Sequence, residues 1–237
     1  MSRTYLIFDL ETVPDERFYT PDPAAAEARP FAPLYAQCPV VIGMLWLDQD
    51  YCLRRLWALD EEDEPGRLTA FASFVEEQRP VLVTFNGRGF DLPVVMLRSL
   101  HHGIALPWLF DERQRQGVEE SEEHIDLCAA LTLRGATRRQ TSLDVAARLV
   151  GLPGKVGVDG SQVETLHRAG ETETLRRYCL GDVVQTAFLL LRYRLLQGHL
   201  PLAGYRIAAR TLLQELEQDG QVAELLSLID RSRLLCL

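Results

Sequence analysis

The stretch that decides the fold reads Tyr5-Leu6-Ile7-Phe8-Asp9-Leu10-Glu11-Thr12. Its first four residues form an apolar run that predicts a buried strand, from about Thr4 to Leu10. Side chains alternate between the faces of a strand, so we expect Asp9 and Glu11 on one face and Leu10 on the other. Two neighbouring carboxylates repel each other unless a cation lies between them or one takes up a proton. The pattern indicates either a cation-binding strand end or two solvated acids.

Length and composition favour one large domain, or a domain with an appendage. The chain has 237 residues, and 47% of them are hydrophobic, which is ample for a core. No apolar run has the length of a membrane span, and Met1 to Arg3 shows no signal-peptide pattern. The five cysteines are scattered without a C-x-x-C pair, so neither zinc nor a disulfide framework is expected. We therefore expect a cytoplasmic protein with no membrane partner.

The charge of the chain limits how it could bind nucleic acid. A net charge of -9 argues against tight, non-specific coating, because that affinity comes from Lys and Arg that neutralise phosphates. An acidic enzyme can still hold a short piece of nucleic acid through metal ions. Among the 25 basic residues, Lys155 is the single lysine.

The order of predicted elements indicates an α/β protein. Residues 13–39 read as an irregular excursion that holds six of the twelve prolines and one short helix at Ala24–Ala28. Val40–Leu47 and Tyr51–Leu59 are typical of an antiparallel hairpin, and Asp60–Glu64 reads as a solvated acidic turn. The later predictions are strands at Val81–Phe85 and Ile125–Leu127, helices at Arg67–Gln78, Leu92–Leu100, Ser142–Val150 and Thr172–Gln197, a short helix near Ser161, and an amphipathic tail at Arg206–Leu235 broken at Gly220.

Three strands in a meander, followed by strand, helix, strand and helix, predict a mixed sheet with helices on its faces. The sheet is expected to have five strands, of which the later ones run parallel to the first. The glycine-rich loop Gly151–Gly160 does not match a phosphate-binding P-loop.

Two further stretches carry acids with a chemical interpretation. Asp91 follows a strand and a tight turn and precedes a helix, where it could equally be an N-cap. Tyr178 and Asp182 lie four residues apart on the long helix and so share a face. Asp182 lies at the edge of an apolar stripe, where an acid needs a partner such as a metal ion. The alternative is an exposed pair without a function.

The remaining titratable residues are interpreted as structural. Asp126 ends a strand and can cap the next helix, and Asp144 lies in the first turn of a helix, where a carboxylate suits the dipole. The five histidines are not spaced as metal ligands on one face of an element.

Three motifs, taken in chain order, resemble those of the DEDD superfamily of 3′→5′ exonucleases, in the tyrosine-containing (DEDDy) subclass. They are D-x-E at Asp9-Leu10-Glu11, N-x-x-x-[FY]-D at Asn86, Phe90 and Asp91, and Y-x-x-x-D at Tyr178 and Asp182. The chain is most similar to the proofreading exonuclease domain of B-family DNA polymerases. The resemblance covers residues 1–200 and implies an RNase H-like fold, with residues 201–237 as a C-terminal helical extension packed on or appended to it. The remaining length does not fit a polymerase, so we expect a stand-alone exonuclease with a polymerase or repair partner.

The resemblance also implies a metal-dependent mechanism. Two Mg²⁺ or Mn²⁺ ions would be held by Asp9, Glu11, Asp91 and Asp182, because oxygen ligands favour these ions over zinc. Tyr178 would orient the attacking water. The implied substrate is the 3′ end of single-stranded DNA, in proofreading or repair, with contacts from Leu10, Thr12, Asn86 and Phe90. Phe90 would pack against the terminal nucleotide or, as an open alternative, anchor the turn in the core.

Lys155 is a candidate on separate grounds. A compact ammonium fits a site crowded with carboxylates and phosphate, where a planar guanidinium does not. We therefore expect Lys155 to reach the rim of the site and contact a substrate phosphate or the carboxylates, although a solvated loop lysine is an equal alternative. Two other functions stay open, a 3′→5′ exoribonuclease acting on RNA and a non-catalytic nucleic-acid-binding module with a nuclease-like fold.

Overall fold

The computed structural model describes residues 3–20, 31–59, 61–110, 124–133, 141–157 and 160–237. Its strands are β1 (Tyr5–Pro14), β2 (Gln37–Leu47), β3 (Leu53–Leu59), β4 (Val81–Thr84) and β5 (His124–Asp126). Its helices are α1 (Glu64–Gln78), α2 (Asp91–His102), α3 (Leu127–Leu131), α4 (Leu143–Leu149), α5 (Val163–Arg168), α6 (Thr172–Leu196), α7 (Leu202–Asp219), α8 (Ala223–Ser227) and α9 (Arg231–Leu234). The short helix predicted at Ala24–Ala28 lies outside the described residues.

The five strands form one mixed sheet in the order β3-β2-β1-β4-β5. The first three strands are antiparallel neighbours, and β4 and β5 extend the sheet parallel to β1. This arrangement confirms the predicted fold class, an antiparallel meander followed by parallel strands with helices on both faces. Its consequence for the site is that β1 lies at the centre of the sheet.

The central strand is longer than the sequence indicated. β1 continues to Pro14, because Thr12 to Pro14 pair with Gln37–Pro39 after a bulge between Glu11 and Thr12. The prolines do not interrupt this pairing, since Pro14 ends the strand and Pro39, paired with Thr12, lies directly beside the bulge. The prediction of a strand end at Leu10 was therefore wrong, and both acids of the D-x-E motif lie inside β1.

Alternation along β1 divides the core into two clusters. Tyr5 and Ile7 belong to the cluster covered by α6, whereas Leu6, Phe8 and Leu10 belong to the cluster covered by α1 and α2. The acids of the D-x-E motif continue the first set. They therefore face α6, as the alternation of the sequence predicts.

Helix α6 crosses the sheet at very short range over Gly43, the residue that pairs with Asp9. A Cβ on Gly43 would lie 2.7 Å from Sγ of Cys179 and 3.3 Å from the Cys179 backbone. Only glycine leaves room for this approach. Sγ of Cys179 consequently lies 3.4 Å from the carbonyl oxygen of Asp9, which brings the Tyr178–Asp182 turn of α6 close to the acids of β1.

The start of α1 contradicts the predicted solvated turn Asp60–Glu64 at its last residue, whereas Glu62 and Asp63 are exposed and Asp60 lies outside the described residues. Asp63 caps the helix, with Oδ1 accepting from the backbone N–H of Gly66 at 2.8 Å. Glu64 then begins α1 and is only 7% exposed, because Arg98 and His102 bind its carboxylate. The partners that make this acid a buried residue come from α2, which local composition cannot reveal.

The C-terminal residues pack onto the same core cluster as α6. Tyr205, Leu212 and Leu225 are buried members of that cluster. α7 begins at Leu202, four residues before the predicted Arg206, and ends as predicted at Gly220, which has a φ of 80°. Among the described helices, none is both long and apolar enough to span a membrane. The division of the chain at residue 200 stays a prediction.

Candidate active site

Acids predicted from three separate motifs converge on one place. Asp9 and Glu11 come from β1, Asp91 from the first turn of α2, and Asp182 from α6. Carboxylate oxygens of Asp9 and Glu11 and Sγ of Cys179 lie within 4.8 Å of one another. Asp91 and Asp182 are near enough to act electrostatically on both β1 acids. The sheet and the two helices therefore assemble a single carboxylate cluster.

Asp91 is not the N-cap of α2, so that alternative was wrong. Phe90 occupies the N-cap position and makes no side-chain cap. The side chain of Asp91, which is 2% exposed, instead accepts the backbone N–H of Leu10 at Oδ1, at 3.2 Å. β4 ends at Thr84, so its pairing with β1 stops there. The bond from Leu10 to Asp91 adds a contact with β1 beyond the end of β4. Asp91 is thereby fixed beside the D-x-E motif.

Burial raises the pKa of each acid in the cluster. For Asp9 and Glu11 the nearby carboxylates add to the effect of burial, and both pKa values lie well above their ordinary range. For Asp91 and Asp182, burial raises the pKa to about 7. Four acids with raised pKa values share protons at neutral pH unless a cation binds among them.

Two other predicted residues act on the cluster in different ways. Lys155 is exposed. Its ammonium lowers the pKa of Glu11 and of Asp182, which opposes the larger increase caused by burial. Its backbone N–H donates to Oδ1 of Asp144 at 2.9 Å, which anchors the loop. Burial and the adjacent acids raise the pKa of the Tyr178 phenol, which therefore keeps its proton at neutral pH. The structure brings both residues next to the acids.

The turn before Asp91 is organised by Asp126. Its carboxylate accepts the backbone N–H groups of Asn86 at 3.0 Å, Arg88 at 2.9 Å and Ala129 at 3.1 Å. The structural interpretation of Asp126 is confirmed by these bonds. Asn86 has a φ of 72°, and a Cβ on Gly89 would lie 2.6 Å from its side-chain Oδ1. The Asn86 amide is therefore held against the turn.

The other proposed substrate contacts have mixed surroundings. Phe90 is half-buried against the core cluster that α1 and α2 cover, and its ring centroid lies 5.6 Å from that of Phe31. Leu10 is 5% exposed, so its side chain offers little surface to a substrate. Its backbone N–H donates a hydrogen bond to Asp91. The hydroxyl of Thr12 donates to Oε1 of Gln37 at 2.7 Å. Substrate contact by these residues stays a prediction.

Gln185 is a residue that sequence reasoning missed. It is 1% exposed, its Oε1 accepts the backbone N–H of Gly154 at 2.8 Å, and its Nε2 donates to Oδ1 of Asp182 at 3.4 Å. One amide thus links the Lys155 loop to the carboxylate cluster. The signal was an amide three residues after Asp182, inside a run that is otherwise almost wholly apolar.

A mixed five-stranded sheet flanked by helices is the RNase H-like fold of exonucleases. A family model described as "Predicted 3'-5' exonuclease related to the exonuclease domain of PolB" matches residues 29–228, and the chain belongs to this family. The matched range contains Asp91, Tyr178 and Asp182, whereas Asp9 and Glu11 precede it. The enzyme class expected from the motifs, a 3′→5′ exonuclease, is confirmed.

Two proteins that this chain resembles are catalytic subunits of a DNA polymerase. The catalytic subunit of DNA polymerase epsilon from Eremothecium gossypii is 27% identical over 141 residues, which is 56% of this chain and 6% of that protein. Its counterpart from Schizosaccharomyces pombe is 27% identical over 143 residues, again 56% of this chain and 6% of the relative. The chain therefore spans a small fraction of the length of these proteins.

A solved structure supports the fold. The family B DNA polymerase from the hyperthermophilic archaeon Pyrobaculum calidifontis matches with a TM-score of 0.57 and 21% identity. The match covers 90% of this chain and 26% of that chain. The fold assigned from the order of elements is thus found within a much larger polymerase.

Proposed function

We propose that this chain hydrolyses phosphodiester bonds from the 3′ end of single-stranded DNA, with two divalent ions held by the carboxylate cluster. The observation that supports this most is the convergence of Asp9, Glu11, Asp91 and Asp182, whose pKa values are all raised. Carboxylate oxygens suit Mg²⁺ or Mn²⁺. When bound, such ions activate water and stabilise the charge on the leaving 3′ oxygen.

The ligands divide according to the elements that carry them. Asp9 and Glu11 of β1 and Asp182 of α6 would hold the first ion. Asp91 of α2 would hold the second ion, together with Asp9. The nearby Cys179 is a poor ligand, because burial and the adjacent acids raise the pKa of its thiol and keep it protonated. The donor set therefore favours a hard cation over zinc.

Tyr178 and Lys155 are assigned to the substrate side of the cluster. The protonated phenol of Tyr178 can donate a hydrogen bond and so orient the attacking water. The ammonium of Lys155 stabilises the ionised forms of Glu11 and Asp182 and can also meet a substrate phosphate. Lys155→Ala and Lys155→Arg test this role. If both variants keep the wild-type rate and salt dependence, Lys155 has no part in the reaction.

Asn86 and Phe90 are assigned to the terminal nucleotide. The amide of Asn86 offers hydrogen bonds, and the uncovered part of the Phe90 ring offers a surface for a base or sugar. Base–aromatic stacking contributes about 1–3 kcal/mol. Phe90→Ala should therefore weaken single-strand binding, with only a modest fall in melting temperature because the ring is half-buried. A lower melting temperature with unchanged affinity would instead assign Phe90 to the core.

A digestion assay tests the proposed reaction directly. Matched DNA and RNA single strands carry a label at the 3′ or the 5′ end and are incubated with Mg²⁺, with Mn²⁺ or with a chelator. We expect metal-dependent release of the 3′ label first, faster on DNA, and no release with the Asp9→Ala variant. Faster loss of RNA would assign an exoribonuclease, and metal-independent or absent cleavage would contradict the proposal.

The biological setting is proposed from the relatives. Their names are those of DNA polymerase catalytic subunits, so we assign this chain to proofreading or repair beside a polymerase in the cytoplasm. The scattered cysteines agree with a reducing compartment. A primer with a mismatched 3′ end should be shortened faster than a matched one, because unpaired ends reach the site more easily. Equal rates on both would contradict a proofreading role.

A further inference from the structure

A cavity of about 360 Å³ opens beside the carboxylate cluster. One wall is the face of α6 from Thr174 to Gln185, which includes Tyr178 and Asp182. The rest of the lining comes from the segment Gly220–Leu225, which contains the α7–α8 connection and the first turn of α8, and from the loop between Gly154 and Gly157. The C-terminal residues therefore line the same cavity as Tyr178 and Asp182, from a segment that none of the three motifs includes.

The cavity lies apart from the turn assigned to the terminal nucleotide. Its lining comes from α6, the 154–157 loop and residues 220–225, and it includes none of the residues from Asn86 to Asp91. A scissile phosphate at the acids joins two nucleosides. If one nucleoside contacts Phe90, the other must leave the acids in a different direction. The cavity bordered by Tyr178 and Asp182 offers such a direction.

The size and chemistry of the cavity suit one nucleotide. Pockets for small ligands begin at about 300 Å³ and combine apolar walls with a few polar groups. Val222 and Leu225 give an apolar wall, and Gln221 and Thr174 add polar groups. Arg177 contributes a guanidinium whose side chain is 57% exposed and whose ion pair with Glu173 is long, at 4.0 Å. A guanidinium in this state is available to a phosphate.

We propose that this cavity binds the nucleotide on the 5′ side of the scissile phosphate. Arg177 contacts the next phosphate of the strand, toward its 5′ end. The inference rests on the proposed function, whose 3′-terminal nucleotide it places on the opposite side of the acids. A cavity of this volume has room for an unpaired nucleotide and not for a base pair. The C-terminal segment Gly220–Leu225 thereby selects single strands.

The test uses two variants with matched controls. Ala223→Trp fills the cavity from an exposed position of α8, and Ser227→Trp places the same side chain on the same helix outside the cavity. Arg177→Ala removes the proposed phosphate contact, and Arg210→Ala makes the same change of charge on α7, away from the cavity. All four are made in an Asp9→Ala background, so that binding is measured without turnover. Melting curves check that each variant folds.

The readout is the affinity for a single-stranded DNA pentamer and for a 5′-mononucleotide. We expect Ala223→Trp and Arg177→Ala to weaken pentamer binding by about 10-fold or more, the scale of one charge-assisted hydrogen bond. Both controls should keep the affinity of the background, and no variant should lose the mononucleotide, which binds at Phe90.

Two results would overturn the inference. One is pentamer binding by Ala223→Trp and Arg177→Ala at the level of their controls. The other is an equal loss of pentamer and mononucleotide, which would place the terminal nucleotide in the cavity. Neither result depends on hydrolysis, so a failure of the proposed function would show separately, in the digestion assay of the Asp9-containing chain.

Discussion

Two clusters of acids within the described part of the chain differ in how their charge is balanced. In the first, Arg98 is fully buried and binds Glu64 at 2.5 and 2.6 Å and Asp15 at 2.9 Å, and His102 binds Glu64 at 2.8 Å. We call these four residues the Arg98 cluster. The second is the carboxylate cluster of the site, where the side-chain cation acting on the acids is the exposed Lys155.

The pKa values of the two clusters move in opposite directions. Hydrogen bonds from Arg17 and then Arg98 hold the pKa of Asp15 below its ordinary range. Burial acts to raise the pKa of Glu64, but its bonds with Arg98 and His102 outweigh that effect and lower it. In the carboxylate cluster, burial prevails and every pKa is raised. The fold supplies an internal cation to one set of acids, so the unbalanced set is the one that we propose to bind a cation from solution.

The largest effect is expected from removing one acid of the carboxylate cluster. Asp9→Ala and Asp182→Asn should each reduce hydrolysis by roughly 10³-fold or more, because each deletes a ligand and a preorganised charge. Turnover on a labelled single strand measures this, with circular dichroism as the check on folding. Asp50→Asn, in the exposed turn between β2 and β3, is the control. An Asp9 or Asp182 variant with near-wild-type turnover would remove the acid from the mechanism.

Removing the cation of the Arg98 cluster should lower the stability of the folded protein. Arg98→Met leaves the Asp15 and Glu64 carboxylates buried without their cation, so the free energy of unfolding should fall by about 3–5 kcal/mol in urea at pH 7. Lowered folded-state pKa values stabilise above the unfolded pKa, so the loss should shrink as the pH falls through about 4. Adding Glu64→Gln to Arg98→Met should recover part of the stability. A loss that is independent of pH and of Glu64 would mean that only packing was disturbed.

A smaller effect is expected from the hydroxyl of Tyr178. Tyr178→Phe should lower the turnover rate by about 10²-fold, the scale of one positioning group in proton transfer. The affinity for Mn²⁺ in calorimetry should stay unchanged, since all four acids remain. Loss of metal affinity in this variant would instead show that the phenol holds Asp182 in place.

The smallest effect concerns the stability of the metal-free protein. The folded-state pKa of Asp182, about 7, exceeds the ordinary aspartate value, so the native state binds extra protons over roughly pH 4 to 7 and loses stability as the pH rises. Asp182→Asn should therefore be more stable than the wild type at pH 8 and equal to it near pH 4. The Arg98 cluster predicts the opposite dependence, which makes the two clusters distinguishable in one urea series. Equal stability at both pH values would contradict the raised pKa.

Local patterns revealed much of the molecule before the structure was known. Alternation placed Asp9 and Glu11 on one face of β1, and four-residue spacing placed Tyr178 and Asp182 on one face of α6. Long-range partners had no local signal. Glu64 was predicted to be exposed to solvent, because Arg98, which neutralises its charge, lies 34 residues away in the chain.

Two further features of the site depend on tertiary packing. The role of Gln185 could not be predicted from the sequence, because its partner, the backbone N–H of Gly154, lies 31 residues away in the chain. The wall of the cavity from Gly220 to Leu225 is reached only after α7 folds back on α6. Sequence spacing therefore predicts residues that share one element, and packing between elements decides what surrounds them.

The most direct measurement of the central claim is a calorimetric titration of the metal-free protein with Mn²⁺ at pH 7, in two buffers of different ionisation enthalpy. Because Asp91 and Asp182 have pKa values of about 7, part of the cluster is protonated, and a bound cation must displace those protons. We expect saturable binding with net proton release in the wild type, and loss of both in Asp9→Ala. Binding without proton release, or no binding at all, would contradict the account that these acids are balanced by a cation from solution.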